Sequence, residues 1–169
     1  MQIKSFPDRS KVRFYLETSI VIRQATHLDI STIVVFNIAM ASETEGKTLD
    51  PTTLQQGVSE VLSNPAKGFY LLAVLSETVV GQLMITSEWS DWRNGYFWWI
   101  QSVYVKQDHR KRGVYKALNE EVLNSARLNG NVCGIRLYVD KDNTAAQQVY
   151  RNLGMSESNY DMYEIELGQ

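Results

Sequence analysis

The chain has 169 residues, of which 44% are hydrophobic and 21% are charged. This is the composition of a globular protein with enough apolar side chains to build a core. The formal net charge of -2 provides no basic field, so we expect neither nucleic acid nor a membrane surface as a partner. No apolar run approaches the roughly 20 residues that span a bilayer. The single cysteine, Cys133, excludes an intrachain disulfide and fits the reducing cytoplasm, where we expect the protein to reside.

The first 15 residues differ in character from the rest of the chain. They lack the apolar stretch of a secretory signal and carry four basic residues, Lys4, Arg9, Lys11 and Arg13. We expect residues 1–15 to form a short leader, which is either a flexible tail or an added strand that covers a neighbouring subunit. Residues 16–169 contain no repeat, low-complexity tract or linker, and they predict a single domain.

The predicted elements begin with a strand and two helices. An apolar run within residues 17–24 predicts a buried strand. Apolar residues at helical spacing then follow Asp29 through Met40, and Gly46 ends that region. Asp50-Pro51 predicts the start of a second helix, because Asp caps free amides and Pro fits the first turn. Asn64-Pro65 stops that helix.

Three strands follow in quick succession. Residues 69–75 and 79–86 are close enough along the chain to pair as a hairpin. Residues 91–95 predict a turn, for which Asn94-Gly95 is the clearest signal. The last of these three, residues 96–105, is the fourth strand of the chain and is rich in aromatic and β-branched side chains.

The remaining elements alternate between helix and strand. After the basic residues 109–113, apolar residues recur at helical spacing from Val114 and stop at Gly130. Residues 135–139 predict a strand. A last helix is capped by Asn143 and stopped by Gly154, and residues 160–167 predict a final strand. The order β, α, α, β, β, β, α, β, α, β predicts an α/β fold with a mixed sheet and helices on both faces.

Residues 101–118 are the most informative for function, because a strand runs into a short basic loop and a helix then starts at a glycine. This geometry directs several backbone N–H groups into one small volume, with the positive end of the helix dipole behind them. Gly113 lets the backbone approach an anion closely, and Arg110, Lys111 and Arg112 add positive charge. The segment alone favours a diphosphate cradle and a solvated basic turn equally. Its glycine spacing is neither that of a nucleotide P-loop nor that of a dinucleotide fingerprint.

Two motifs stand in this half of the chain, Arg110-Lys-Arg-Gly113-Val-Tyr115 and a second one over residues 143–155. The first resembles the Gln/Arg-x-x-Gly-x-Gly/Ala signature of the GNAT superfamily of N-acetyltransferases. The second resembles that family's later motif, an asparagine, a helix bearing a tyrosine, and then Gly-Met. Tyr115 departs from the small residue of the signature, so its side chain is expected to point away from a diphosphate. With the element order, the resemblance extends from about Ile20 to the C-terminus.

The resemblance implies acetyl transfer from acetyl-CoA, as cosubstrate, to a primary amine of a small molecule or peptide by direct attack. It also implies a mostly antiparallel sheet that splays between the fourth and fifth strands, with the pantetheine arm in the gap. A backbone N–H near Ser102 or Val103 would polarise the thioester carbonyl. The implied cofactor-binding residues are Ser102, Val103, Tyr104, Val105, Arg110, Lys111, Arg112, Gly113, Val114, Tyr115, Lys116, Asn143 and Tyr150. The alternative for Val103 and Val105 is core packing, which is compatible with backbone binding.

Tyr150 matches the family's general acid, which protonates the departing thiolate of coenzyme A. A phenol suits this step, since its ordinary pKa of about 10 lies near that of a thiol. The alternative is a core tyrosine on an amphipathic helix. Asn143 either contacts the pantetheine or caps its own helix.

The general base is less clearly indicated. Gln101 lies on the fourth strand, where relatives carry a carboxylate, and an amide cannot act as a base. The candidates are Glu88, at the end of the third strand, and Glu43 or Glu45, in a predicted loop between the first two helices. Deprotonation relayed by water is a further alternative.

Four tryptophans lie close together in the sequence near the third and fourth strands: Trp89, Trp92, Trp98 and Trp99. With Glu88 and Asp91, they would suit a cationic amine through cation–π attraction and charge pairing. Strand alternation places Trp98 and Trp99 on opposite faces of the sheet. The alternative is that these side chains belong to the core or to a homodimer contact.

No metal site is predicted, because His27 and His109 are isolated and no Cys, His and carboxylate residues cluster at ligand spacing. Cys133 is expected to be packed within its strand. Two other functions stay open from the sequence. One is acetylation of a protein N-terminus or lysine, which requires an open acceptor groove, and the other is a catalytically silent acyl-CoA sensor.

Overall fold

The computed structural model describes residues 19–165 and residue 167. It divides into two compact units, the first ending at Leu137 and the second beginning at Tyr138. The predicted leader, residues 1–15, lies outside the described residues. No helix in the described part of the chain is long and apolar enough to cross a membrane.

The first unit contains a five-stranded mixed sheet. Its strands are β1 (Val21–Gln24), β2 (Phe69–Leu75), β3 (Thr78–Ser90), β4 (Gly95–Val105) and β5 (Val132–Arg136). They lie in the order β1-β2-β3-β4-β5. Neighbours among the first four are antiparallel, whereas β5 runs parallel to β4. The mixed α/β fold predicted from the sequence is therefore confirmed.

Helices α1 (Ile30–Glu45), α2 (Pro51–Ser63) and α3 (Val114–Asn129) also belong to the first unit. Their ends follow the sequence signals closely. The Asp50 side chain accepts a hydrogen bond of 2.7 Å from the Thr53 amide at the start of α2. Gly46 and Gly130 take the left-handed conformation directly after α1 and α3, as residues without a Cβ do at helix ends.

Two apolar clusters fix these helices to the sheet. One, the α3-side cluster, joins α3, through Val114, Leu118 and Val122, to buried residues of β2, β3 and β4. The other joins Ile33 of α1 and Val58 of α2 to the β1–β2 region of the sheet. Both faces of the sheet are covered because its buried strands carry apolar side chains in both directions.

The sheet splays between β4 and β5, as predicted. The two strands pair from Tyr96, opposite Val132, to Trp99, opposite Arg136. Strand β4 then continues to Val105, and no described residue pairs with that side of it beyond Trp99. The edge of β4 that faces β5 is therefore open from Ile100 to Val105.

Four strand predictions differ from the structure. The strand predicted as buried within residues 17–24 begins at Val21 and exposes three of its four side chains, because it is an edge strand of the sheet. The strand predicted at residues 79–86 extends over Thr78–Ser90, because its pairing with β4 continues to the hairpin turn. Strand β5 covers Val132–Arg136 rather than residues 135–139, because its bounds follow the parallel pairing with β4 and not its own apolar pattern. The expected strand at residues 160–167 is not formed in residues 160–165 or 167. Tyr160, Met162, Tyr163 and Ile165 are exposed there, and an alternating pattern without a pairing partner does not make a strand.

The second unit contains α4 (Thr144–Asn152). Asn143 caps this helix, since its Oδ1 accepts a hydrogen bond of 3.0 Å from the Ala146 amide. Gly154 follows the helix with a φ of 89°. The predicted start and stop of this helix are both confirmed.

Candidate active site

A β-bulge interrupts β4 at the start of its open edge. Ser102 and Val103 together oppose the single residue Leu83, since Gln82 pairs with Tyr104 and Met84 with Gln101. Ser102 has a φ of 49°, which is left-handed and unfavourable for a residue with a Cβ. Such a bulge turns backbone groups out of the regular ladder at this point of the strand.

The bulge also shifts the alternation of side chains along β4 by one residue. Trp98 and Ile100 belong to the α3-side cluster before the bulge, and Val103 and Val105 pack against the same cluster after it. Tyr104 takes the other face, where its ring centroid lies 5.0 Å from that of Phe36. The predicted core packing of Val103 and Val105 is confirmed, and it leaves their backbone groups on the open edge.

The loop after β4 is curled by two left-handed residues. Lys111 has a φ of 61° and Gly113 a φ of 82°, and α3 begins at Val114. Alternation of right- and left-handed backbone gathers N–H groups into a concave anion-binding nest. A Cβ built on Gly113 would meet no atom within 4 Å, so the space next to Gly113 is open. Tyr115 is half-buried.

The positive charges of this loop divide into two groups. Arg110 is engaged, because its Nε donates to the Val105 carbonyl at 2.9 Å and its Nη2 lies 2.5 Å from Oε2 of Glu43. Lys111 and Arg112 are exposed and form no ion pair within the described residues. Lys116 lies 3.8 Å from Glu120, one helical turn further on.

Glu43 is bound into a cluster at the C-terminal end of α1. Besides Arg110, it accepts a hydrogen bond of 3.1 Å from the Tyr104 hydroxyl. The Arg110 guanidinium lowers the pKa of the Glu43 carboxyl, which makes this group a weaker base. Glu43 and Glu45 lie in the last turn of α1 rather than in the predicted loop, and Glu45 pairs with Lys47 at 2.7 Å.

Glu88 forms a second cluster on β3. Its carboxylate accepts from Nη1 of Arg136 at 3.0 and 3.1 Å and from Nε1 of Trp99 at 2.5 Å. The Arg136 guanidinium also lies 3.6 Å from the centre of the Phe97 ring. Arg136 and Phe97 were not expected at this site. Two strand registers bring them to it: Glu88 opposes Phe97 between β3 and β4, and Arg136 opposes Trp99 between β4 and β5.

The four tryptophans occupy different environments. Trp98 is buried and meets Phe69 edge to face, whereas Trp99 lies on the opposite face with Glu88. Trp89 packs on Tyr96, with 4.9 Å between ring centroids, and it remains half exposed. Trp92 is 92% exposed at the tip of the β3–β4 hairpin. The core interpretation therefore holds for Trp98 only.

Gln101 lies on the same face of the sheet as Glu88. Its Nε2 donates to Thr86 Oγ1 at 3.0 Å. Cys133 is exposed, contrary to the expectation of a packed thiol, because β5 is an edge strand of the sheet. Its Sγ donates to the Tyr96 carbonyl at 3.3 Å. No group of three metal-ligating side chains occurs in the described residues.

In the second unit, Tyr150 lies on α4 and is half-buried. Burial raises the pKa of its hydroxyl above the ordinary value of 10. The hydroxyl is therefore protonated throughout the neutral range, which is the state that a proton donor requires.

Comparison with known proteins places the chain in a family. Residues 33–155 match the model of the acetyltransferase (GNAT) family, and the chain belongs to that family. Among solved structures, a possible acetyltransferase from Clostridium difficile 630 is 45% identical with a TM-score of 0.83, covering 89% of this chain and 99% of the other. A search of curated proteins gave no significant match.

Two more distant structures share the fold. A predicted acetyltransferase with acetyl-CoA from Clostridium acetobutylicum is 19% identical, with a TM-score of 0.72 over 88% of this chain and 96% of the other. The ribosomal-protein-alanine N-acetyltransferase from Brucella melitensis biovar Abortus 2308 is 17% identical, with a TM-score of 0.72 over 89% of this chain and all of the other. At these identities the likeness concerns the fold alone.

Proposed function

We propose that the protein binds acetyl-CoA and transfers its acetyl group to a primary amine of a small molecule or peptide by direct attack. The observation that supports this most directly is the open edge of β4. It begins after Trp99 and contains the bulge at Ser102, and the curled basic loop follows it after a single 3-10 turn at Gln107–His109. An extended arm that pairs with this edge would deliver an attached diphosphate to that loop.

The binding roles follow from this path. Backbone groups of residues 102–105 hold the pantetheine arm as an added strand would. The N–H groups around Gly113, the N-terminus of α3 and the unpaired charges of Lys111 and Arg112 hold the diphosphate. Arg110 holds the start of the basic loop in place through its contacts with Val105 and Glu43. Asn143 is assigned the cap of α4 only, since its Oδ1 is engaged there.

The proposed chemistry needs an electrophilic carbonyl, a proton donor and a proton acceptor. A backbone N–H at the bulge polarises the thioester carbonyl and stabilises the negative oxygen that develops on attack. Tyr150 protonates the departing thiolate. For the ammonium proton, Glu43 and Glu88 are each paired with an arginine, so we assign the relay to water that leads to Glu88, the carboxylate on the face assigned to the acceptor.

The acceptor amine is assigned to the face of the sheet that carries Glu88, Trp99 and Gln101. Phe97 and Trp99 offer aromatic surface there, and Glu88 offers a carboxylate that Arg136 already neutralises in part. A small amine or the N-terminus of a peptide fits such a surface better than a polycation does, since little net negative charge remains to bind one.

Steady-state release of free thiol from acetyl-CoA, measured against an amine panel, tests this proposal. The panel contains small primary amines, a peptide with a free N-terminus and a lysine peptide with a blocked N-terminus. Saturable thiol release with at least one of the first two supports the proposal. Release with the lysine peptide alone favours protein lysine acetylation, and acetyl-CoA binding without any amine-dependent release favours the sensor.

We also propose a cellular compartment and an oligomeric state. The exposed thiol of Cys133 fits a reducing compartment, and we propose the cytoplasm. A homodimer is proposed through the exposed aromatic tip of the β3–β4 hairpin, where Trp89 and Trp92 lie.

A further inference from the structure

Gln82 is the most completely buried polar side chain of the described residues. It lies on β3, next to the bulge of β4, and its side chain has 0% exposure. Its Nε2 donates to Oδ1 of Asn37 at 2.7 Å and to the carbonyl oxygen of Ser102 at 3.3 Å. Its Oε1 receives no hydrogen bond from any described residue.

The hydrogen bonds continue from Asn37 back to Ser102. Asn37, itself buried, donates through Nδ2 to the Tyr70 hydroxyl at 3.4 Å. The Ser102 side chain lies beside the Tyr70 hydroxyl and opposes the rise that burial causes in the pKa of Tyr70. The side chains of Gln82, Asn37 and Tyr70 therefore form a ring around Ser102, in which Gln82 binds its carbonyl and Tyr70 lies beside its side chain.

Stability alone does not account for this ring. An amide buried with one oxygen unsatisfied costs free energy, and an apolar side chain of the same shape would avoid that cost. The ring does, however, hold Ser102 in a left-handed conformation that is unfavourable for any residue except glycine. Backbone strain persists only where the surroundings impose it, and here three elements, α1, β2 and β3, contribute one side chain each.

We propose that Gln82, Asn37 and Tyr70 are positioning residues that set the β4 bulge, and through it the backbone N–H that polarises the thioester carbonyl. This inference rests on the proposed acetyl transfer. None of the three side chains needs to contact a substrate, because each acts through Ser102. An electrostatic donor works only when it is fixed in advance at the place where charge develops, and a loosened bulge would lose that alignment.

The test compares Gln82→Met with Val122→Ala. Methionine has a similar length and cannot donate, so Ser102 loses the bond to its carbonyl. Val122 is fully buried in the α3-side cluster, whereas Tyr70 belongs to the apolar cluster of α1 and α2 on the other face of the sheet, so truncation of Val122 controls for general loss of packing. Tyr70→Phe, which releases the Ser102 side chain and removes one atom only, serves as the second ring variant if Gln82→Met does not fold.

Two readouts separate positioning from stability. The first is kcat, expected to fall about tenfold or more in the ring variants while affinity for coenzyme A changes less than about threefold. The second is the ¹³C shift of carbonyl-labelled acetyl-CoA bound to the protein, which reports polarisation directly. We expect it to move toward the free value in Gln82→Met and Tyr70→Phe and to stay at the wild-type value in Val122→Ala.

Unchanged kcat and an unchanged bound carbonyl shift in a folded ring variant would overturn the inference. So would equal changes in the ring variants and in Val122→Ala, because they would assign the effect to packing. Failure of the proposed function has a different signature. In that case the wild-type protein itself either binds no acetyl-CoA, so that there is no carbonyl shift to compare, or binds it without amine-dependent thiol release, so that there is no kcat to compare.

Discussion

The contacts of Arg110 and Glu43 differ from the roles that their positions in the sequence predict. Each belongs to a segment expected to act directly, one on a diphosphate and the other on an ammonium proton. The structure joins them in an ion pair 2.5 Å long, so each neutralises the other. The free cations of the loop are then Lys111 and Arg112, and diphosphate binding is expected to depend on them.

Charge reversal at Arg112 tests this division. In Arg112→Glu we expect acetyl-CoA to bind about three- to tenfold more weakly at low ionic strength, with the difference shrinking as salt is added. Lys67→Glu is the matched control, since Lys67 is exposed and pairs with Glu60 at 3.7 Å, outside the loop. Titration curves of Arg112→Glu that match those of the control would remove Arg112 from the binding site.

The proposed role of Tyr150 can also be tested by a single substitution. In Tyr150→Phe we expect kcat at neutral pH to fall about a hundredfold, the scale of general acid catalysis, while the affinity for acetyl-CoA stays within about twofold. Pre-steady-state and equilibrium titration measure the two quantities separately. Wild-type turnover in this variant would show that another group protonates the thiolate.

Elements with strong local signals were predicted well from sequence. Strand β2 and the capped helices α2, α3 and α4 match within one residue, because their ends depend on local residues such as Asp50, Asn143 and Gly130. Strand β5 was misplaced and the final strand is not formed in its described residues. A strand depends on a partner distant in sequence, and neither Gly134 nor Arg136 gives β5 an apolar pattern.

The site shows the same division between local and distant information. The basic loop and the helix start at Gly113 were legible because neighbouring residues build them. The Glu43–Arg110 and Glu88–Arg136 pairs join residues 67 and 48 positions apart, and the Gln82–Asn37 bond joins residues 45 apart. Such contacts follow from strand register and helix packing, which a single sequence does not specify.

The junction between β1 and α1 contains an ion pair whose contribution to stability can be tested. Arg23 binds Asp29 through two hydrogen bonds of 2.8 and 2.7 Å, and the Thr26 amide donates to the same carboxylate at 2.8 Å. The bond from Arg23 lowers the pKa of Asp29 to about 2. A carboxyl with a lowered pKa stabilises the fold above its unfolded value near 4, and that contribution is lost as the pH falls toward 2.

We therefore expect Asp29→Asn to reduce the free energy of unfolding by about 1–2 kcal/mol at pH 7, allowing for the partial exposure of Arg23. The difference from wild type should shrink as the pH is lowered from 5 toward 2, measured by urea unfolding. Asp161→Asn, at an exposed position, is the control. A difference that stays constant across this range would contradict the ion-pair account.

The proposed binding path combines a splayed sheet, an open strand edge and a curled loop. The sequence resemblance anticipated the splay, and the end of β4–β5 pairing at Trp99 confirms it. The path runs along β4 and ends at α3, all within the first unit. The ligand proposed for this path has an extended, amide-bearing arm attached to a diphosphate, and a nucleotide alone lacks that arm.

Calorimetric titration of the purified full chain with acetyl-CoA, coenzyme A and ATP tests this central claim most directly. The account predicts that both coenzymes bind at micromolar concentrations, whereas ATP, which has phosphates but no pantetheine arm, binds at least about tenfold more weakly. Equal binding of ATP and acetyl-CoA would contradict the role of the β4 edge. Absence of binding by either coenzyme would contradict both the acetyltransferase and the sensor, and would leave only the fold in common with the family.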